Sequence, residues 1–197
     1  MSEPVEVGVG RDRWSLAIPG DRRVGLRRDT FAPPTASAAD LAGDALEHPH
    51  GFEAMRRALT PDDRVAVVLD PRLPAVGPVL SGVLAHLASG GVKAESVTVI
   101  TQPGDPQDWI DDLPDEFSDV RAETHDPADR KKLAYLASTA AGRRLYPNRT
   151  LVEADVVVVL TGRGYDPQAG YAGAEAAIFP ALADEEARNA FAGQFET

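Results

Sequence analysis

The sequence predicts a Rossmann-like, three-layer α/β domain with a mostly parallel sheet, preceded by a small N-terminal β-ribbon. Three observations carry this expectation. Short continuous apolar runs such as "RVAVVLD" (64–70) end in a polar residue, as strands buried on both faces do. Between such runs, "PAVGPVLSGVLAHLASGG" places apolar residues at 76, 79, 80, 83, 84 and 87, which is helical spacing. The two patterns then alternate along the chain, which argues for parallel strands joined by helical crossovers.

The elements follow in order. Residues 1–30 alternate polar and apolar positions in "VEVGVG" and "RWSLAIP", the pattern of a ribbon or hairpin, with "PGD" (19–21) as its turn. Residues 31–62 are Pro-, Ala- and Ser-rich at first, then run through "DALEHPHGFEAMRRAL" as helix, interruption and helix. The core is expected over 63–197. Its strands fall at 64–70, 96–101, 119–124 and 155–160, with the first helix stopped by Gly90 and Gly91. "LVEAD" reads as a short helix or turn. "DEEARNAFAGQF" reads as a last helix whose acidic first turn suits the helix dipole.

Composition excludes several function classes. A chain of 197 residues suits one domain with trimmings and can bury a core without staples. It contains no cysteine, which excludes disulfides, thiolate metal sites and a cysteine nucleophile, and fits a cytoplasmic setting. The formal net charge of −11 argues against nucleic acid as a partner, although arginines cluster at 22–28 and 143–149. "MSEPVEVGVGRDRW" has no apolar core and does not read as a signal peptide. Apolar runs such as "VVVVL" are strand-sized, too short to span a bilayer. Glycine-rich dinucleotide and P-loop signatures are missing, as is a nucleophile elbow.

Ligands of open α/β sheets sit beyond the carboxyl ends of the strands. That rule selects the loops 70–74, 102–107, 125–129 and 162–173. Asp70, Asp105, Asp126 and Asp166 all fall there. Converging carboxylates can hold a hard cation or divide into acid and base, and Asp is equally a turn and cap residue. Arg72 offers a bidentate fork for a carboxylate or phosphate. The last of these loops, "GYDPQAGYAGAEAAIFP" (164–180), is bare backbone, as where a ligand approaches closely. Tyr165, Gly170 and Gly173 are the expected contacts in it. His125 is the one histidine expected at this edge.

Several segments, taken in order, resemble the N-terminal domain of the nickel-pincer lactate racemase family. "ALEHPHG" (45–51) is similar to the family's "ALENPIG", and "VAVVLDPRLP" (65–74) to a strand followed by D-x-T-R-P. "HLASGGVKAESVTVITQPGD", "THDP" (124–127), "LASTAAGRRLYPNRTLVEAD" and the glycine loop each resemble a family segment, so the likeness spans about 45–182.

The resemblance implies a lactate racemase fold and a nickel-pincer nucleotide anchored on a lysine of the glycine loop. In this chain that position is Ala176, and the family's two acid–base histidines fall on Asp105 and Asp166. The arginine of D-x-T-R-P falls on Leu73, with Arg72 one residue early. An alanine methyl cannot anchor a pincer, and carboxylates, with ordinary pKa values of about 4, are poor bases at neutral pH. The expectation is therefore a degenerate racemase-like domain without the cofactor, binding a small anionic ligand or a partner protein. The alternative is an enzyme of altered chemistry built on the Asp cluster. Either could act alone, as a homo-oligomer, or completed by a separate chain resembling the family's C-terminal domain.

Overall fold

The computed structural model describes residues 4–9, 12–22, 34–166 and 170–193. The chain divides into two compact units, Met1–Thr35 and Ala36–Thr197. The first holds an antiparallel pair, β1 (Val5–Val9) and β2 (Asp12–Leu16), with Val9 opposite Asp12. Two residues, 10 and 11, therefore separate the strands. The sequence reading put the turn at "PGD"; there the chain forms a 3-10 turn instead, Gly20–Arg22. The cluster read at 22–28 lies, after Arg22, outside the described residues.

The second unit opens with α1 (Ala38–Glu47), whose N-cap Ser37 accepts the amide N–H of Asp40 at 3.1 Å. A four-stranded parallel sheet then forms from β3 (Val65–Leu69), β4 (Val97–Thr101), β5 (Arg121–Thr124) and β8 (Val156–Leu160), in the order β5-β4-β3-β8. These strands match the expected runs to within two residues, and α2 (Val76–Ser89) matches the expected helix. Two short antiparallel pairs escaped the sequence reading: β6 (Ala137–Ser138) with β7 (Arg144–Leu145), and β9 (Gly164–Asp166) with β10 (Gly170–Ala172). Three helices complete the unit: α3 (Arg149–Glu153), α4 (Ala174–Ile178) and α5 (Glu185–Ala192). No helix among the described residues is long and apolar enough to cross a membrane.

The pleat divides the sheet's side chains between two cores. Val65, Val67, Leu69, Val97 and Val99 face one side, where they pack on Leu80, Val83, Leu84 and Leu87 of α2. Ala66, Val68 and Ile100 face the other, against Leu182, Leu151, Val159 and Ala177. Among the described residues the second face is covered by short elements, α3 and α4 having five residues each.

The outer helix α1 reaches α2 through a small-residue contact. A Cβ on Gly82 would run into the carbonyl oxygen of Ala39 and lie 2.8 Å from its Cα. Both obstacles are backbone, so relief requires moving a helix. Gly82→Ala is expected to cost about 1–3 kcal/mol as an overpacking change despite its better helix propensity. Urea unfolding followed by far-UV circular dichroism checks this; an unchanged or higher midpoint would show that α1 is not held at this contact.

Candidate functional site

In sequence order the chain lays β3, β4 and β5 side by side and then returns to place β8 on the far side of β3. The direction of winding reverses between β3 and β8, the switch point at which such sheets open a crevice. A cleft of about 520 Å³ lies there. Its wall is Asp70 and Arg72 after β3, Gln102 after β4, and Thr161, Gly162, Gly164 and Tyr165 after β8; Gly173, Ala176 and Ala177 close it from the α4 side. Val68, Ile100 and Leu182 form an apolar floor.

Asp70 and Arg72 form the charged element. Asp70 Oδ1 accepts the backbone N–H of Arg72 at 3.1 Å and its Nε–H at 2.8 Å. The pairing folds the arginine back on its own loop and holds the guanidinium firmly protonated, with Asp105 adding a weaker attraction. The two terminal nitrogens of Arg72 have no hydrogen-bond partner among the described residues, and its side chain is 70% exposed. Ala75, three residues on, takes the left-handed conformation (φ 53°, ψ 42°), a costly position for a residue with a Cβ.

Other expected site residues are placed differently. Asp105 does not line the cleft: its Oδ2 accepts the Gln102 N–H at 2.9 Å, closing the loop after β4. Asp166 sits on β9, paired with Gly170, and its side chain lies outside the described residues. Gly170 takes φ 80° as part of the β9–β10 pair and does not line the cleft either. Asp126 is a turn residue, accepting the N–H groups of Ala128 and Asp129. No group of three or more His, Asp or Glu among the described residues is arranged to hold a metal ion.

Two features went unread in the sequence. Tyr165 and Tyr171 stand opposite each other on β9 and β10, ring centroids 5.6 Å apart, and both are largely exposed. The glycines at 162, 164 and 173 also have room to spare. A Cβ would meet only ordinary contacts at 162 and 173 and nothing at all at 164. Packing within the chain does not require those three to be bare.

The comparisons with known proteins agree with this fold. The family model described as "Lactate racemase N-terminal domain" matches residues 9–191. The chain belongs to that family. Among solved structures, the lactate racemase apoprotein from Thermoanaerobacterium thermosaccharolyticum superimposes with a TM-score of 0.64 at 19% identity. The match covers 93% of this chain and 45% of the racemase, so the chain spans less than half of that protein's length. No curated protein matches the sequence. The family match extends the likeness read from the sequence beyond 45–182 at both ends.

His125, expected at the site edge, is instead a core residue. It is 1% exposed, and its Nε2–H donates to the Ala183 carbonyl at 3.0 Å. That bond fixes the neutral tautomer and leaves Nδ1 buried with no partner. Burial pushes its pKa down from the usual value of 6.5, more than the Ala183 bond raises it. His86 on α2 is likewise pushed down by burial. In both cases the unfolded chain binds protons more readily than the native one. Their stabilising contribution is complete above the unfolded pKa of about 6.5 and is lost as pH falls through the lower folded pKa. Stability is therefore expected to drop between pH 7 and pH 5. His125→Gln, which keeps an N–H donor but does not titrate, is expected to flatten that slope. Unfolding free energy measured across the range tests it; an identical slope in the variant would remove the role assigned to His125.

Proposed function

We propose that this racemase-family domain binds a small carboxylate anion at the switch-point cleft and does not racemise lactate through a nickel-pincer cofactor. One observation carries the binding half: Arg72 is fixed by Asp70 through Nε and presents two unpaired guanidinium nitrogens at the cleft mouth. A carboxylate accepts two parallel N–H bonds from such a fork. The uncharged rest of the rim leaves one cation, itself half neutralised by Asp70, so affinity is expected in the millimolar range.

The residues present do not fit a covalently anchored pincer. Ala176 stands at the anchoring position and lines the cleft, and no lysine, histidine or cysteine lies among its described lining residues. Of the two aspartates at the family's histidine positions, Asp105 already spends an oxygen on the loop backbone. Cytoplasmic residence accompanies this reading, supported by the cysteine-free composition.

A second reading, a protein partner at the same rim, is favoured by the exposed Tyr165–Tyr171 pair. Paired aromatics beside a cleft are the residue type that anchors interfaces. A separate chain resembling the family's other half, or a second copy of this one, would meet the domain there.

The test uses L-lactate and acetate as probes, with amide chemical shifts followed by NMR. Saturable shifts around residues 70–73 and 161–164 are expected, weakened at least fivefold in Arg72→Ala. Binding undiminished in that variant overturns the carboxylate reading. A chiral lactate assay after co-expression with cofactor-synthesis proteins is expected to show no interconversion. Racemisation abolished by Asp105→Ala or Asp166→Ala would show that the carboxylates have taken over the histidines' work.

A further inference from the structure

The same face of the sheet opens a second hollow at the opposite, amino end of its strands. Its volume is about 550 Å³, the size of a small-molecule site. The charge there runs against the chain as a whole. Five of the 20 Lys and Arg residues line it against two of the 31 Asp and Glu, in a protein of net charge −11. Composition alone would give more acids than bases.

The acids at this hollow are already committed. Glu123 on β5 accepts from Asn148 Nδ2 at 2.7 Å with one oxygen and from Thr150 Oγ1 at 2.6 Å with the other. Glu153 pairs with Arg149, whose Nε and Nη2 also donate to the carbonyls of Lys131 and Leu133. Arg64 is held by Asp155, which lies just beyond the hollow. The side chains of the remaining three cations, Arg121, Lys131 and Lys132, have no hydrogen bond or ion pair among the described residues. Gathering them without counter-charge costs self-repulsion that a bound anion would relieve.

The floor supplies an independent sign. Thr98 on β4 is 8% exposed and lines the hollow, and its hydroxyl has no partner among the described residues. The hydroxyl is therefore free to donate to, or accept from, a molecule in the hollow. Register explains the gathering: Thr98 lies opposite Arg121 in the parallel ladder, so both project to this face, and α3 with the 3-10 turn Arg130–Lys132 brings up the rest.

We propose that this hollow is an anion site for a small phosphomonoester, separate from the switch-point cleft and at the other end of the strands. Three unpaired cations with a hydroxyl at the base suit the three terminal oxygens of a phosphate better than the two of a carboxylate. Glu123, pinned at the wall, would accept a hydroxyl donor from the remainder of the ligand.

The probes are inorganic phosphate and methyl phosphate, titrated by calorimetry and NMR at constant ionic strength. Saturable binding is expected, with shifts at Thr98, Glu123 and Thr150. Arg121→Ala and the pair Lys131→Ala with Lys132→Ala are expected to weaken it at least tenfold. These side chains make no internal bonds, so far-UV circular dichroism should be unchanged. Lys131→Arg with Lys132→Arg should retain binding, and Arg72→Ala should not affect it, which keeps the result independent of the carboxylate reading. Equal effects from acetate or added sodium chloride, or binding indifferent to all three cations, would overturn the proposal. A phosphoserine peptide binding more than tenfold tighter than methyl phosphate would likewise overturn it in favour of a protein ligand.

Discussion

The fold depends on one constraint, the burial of β3 on both faces and both edges. Its five residues are all apolar and at most 4% exposed. Parallel ladders to β4 and β8 satisfy its backbone on either side. Each such valine or leucine contributes about 1.5–3 kcal/mol by leaving water, and none leaves a place for a polar group. Polar chemistry is consequently expelled to the strand's ends. At the carboxyl end the chain must emerge as the loop of Asp70 and Arg72, between the loops after β4 and β8. The cleft's position follows from what the core cannot hold.

The two faces of the sheet are covered unequally, and this explains why both hollows share a face. On one side the 14-residue α2 runs along the sheet and fills the interface with Leu80, Val83, Leu84 and Leu87. On the other, α3 and α4 are too short to shield the full length of the strands, and among the described residues the buried part of the core there is Ala66, Val68, Ile100 and Leu182. Side chains at the strand ends of this face meet solvent. At the carboxyl end they are glycine, alanine and tyrosine around a single ion pair. At the amino end they are long cations and a floor threonine.

Much of this was legible in the sequence, and the limits have physical causes. Strands buried on both faces announce themselves as apolar runs, so β3, β4 and β8 were readable, and the helical period of α2 with them. The Asp70–Arg72 loop was readable because chain order places it at a strand's carboxyl end. Whether a loop carboxylate faces ligand or backbone depends on a single hydrogen bond, which no local pattern encodes. Asp105 was therefore expected in the cleft although it closes its own loop. The hairpin of β9 and β10 was missed because three-residue strands carry no usable period. The amino-end cations, spread from 64 to 149, are adjacent only through the parallel register. Gly82 looked like any helical glycine until α1 was placed against it.

The glycine loop combines backbone that the fold keeps bare with backbone that it does not. Glycine at a crowded or left-handed position is maintained by the domain's own folding, as Gly82 and Gly170 are. Gly162 and Gly164 meet neither demand: their φ values lie outside the left-handed region and a Cβ would find room at each. A bare residue there loses more chain entropy on folding than alanine would, so stability alone argues for its replacement. Both border the cleft. The anion proposed for the cleft would account for them, by approaching the backbone from inside it. Ala176 offers no amine at this wall, so under the carboxylate reading proposed above the contact is non-covalent and is oriented by the backbone and Arg72.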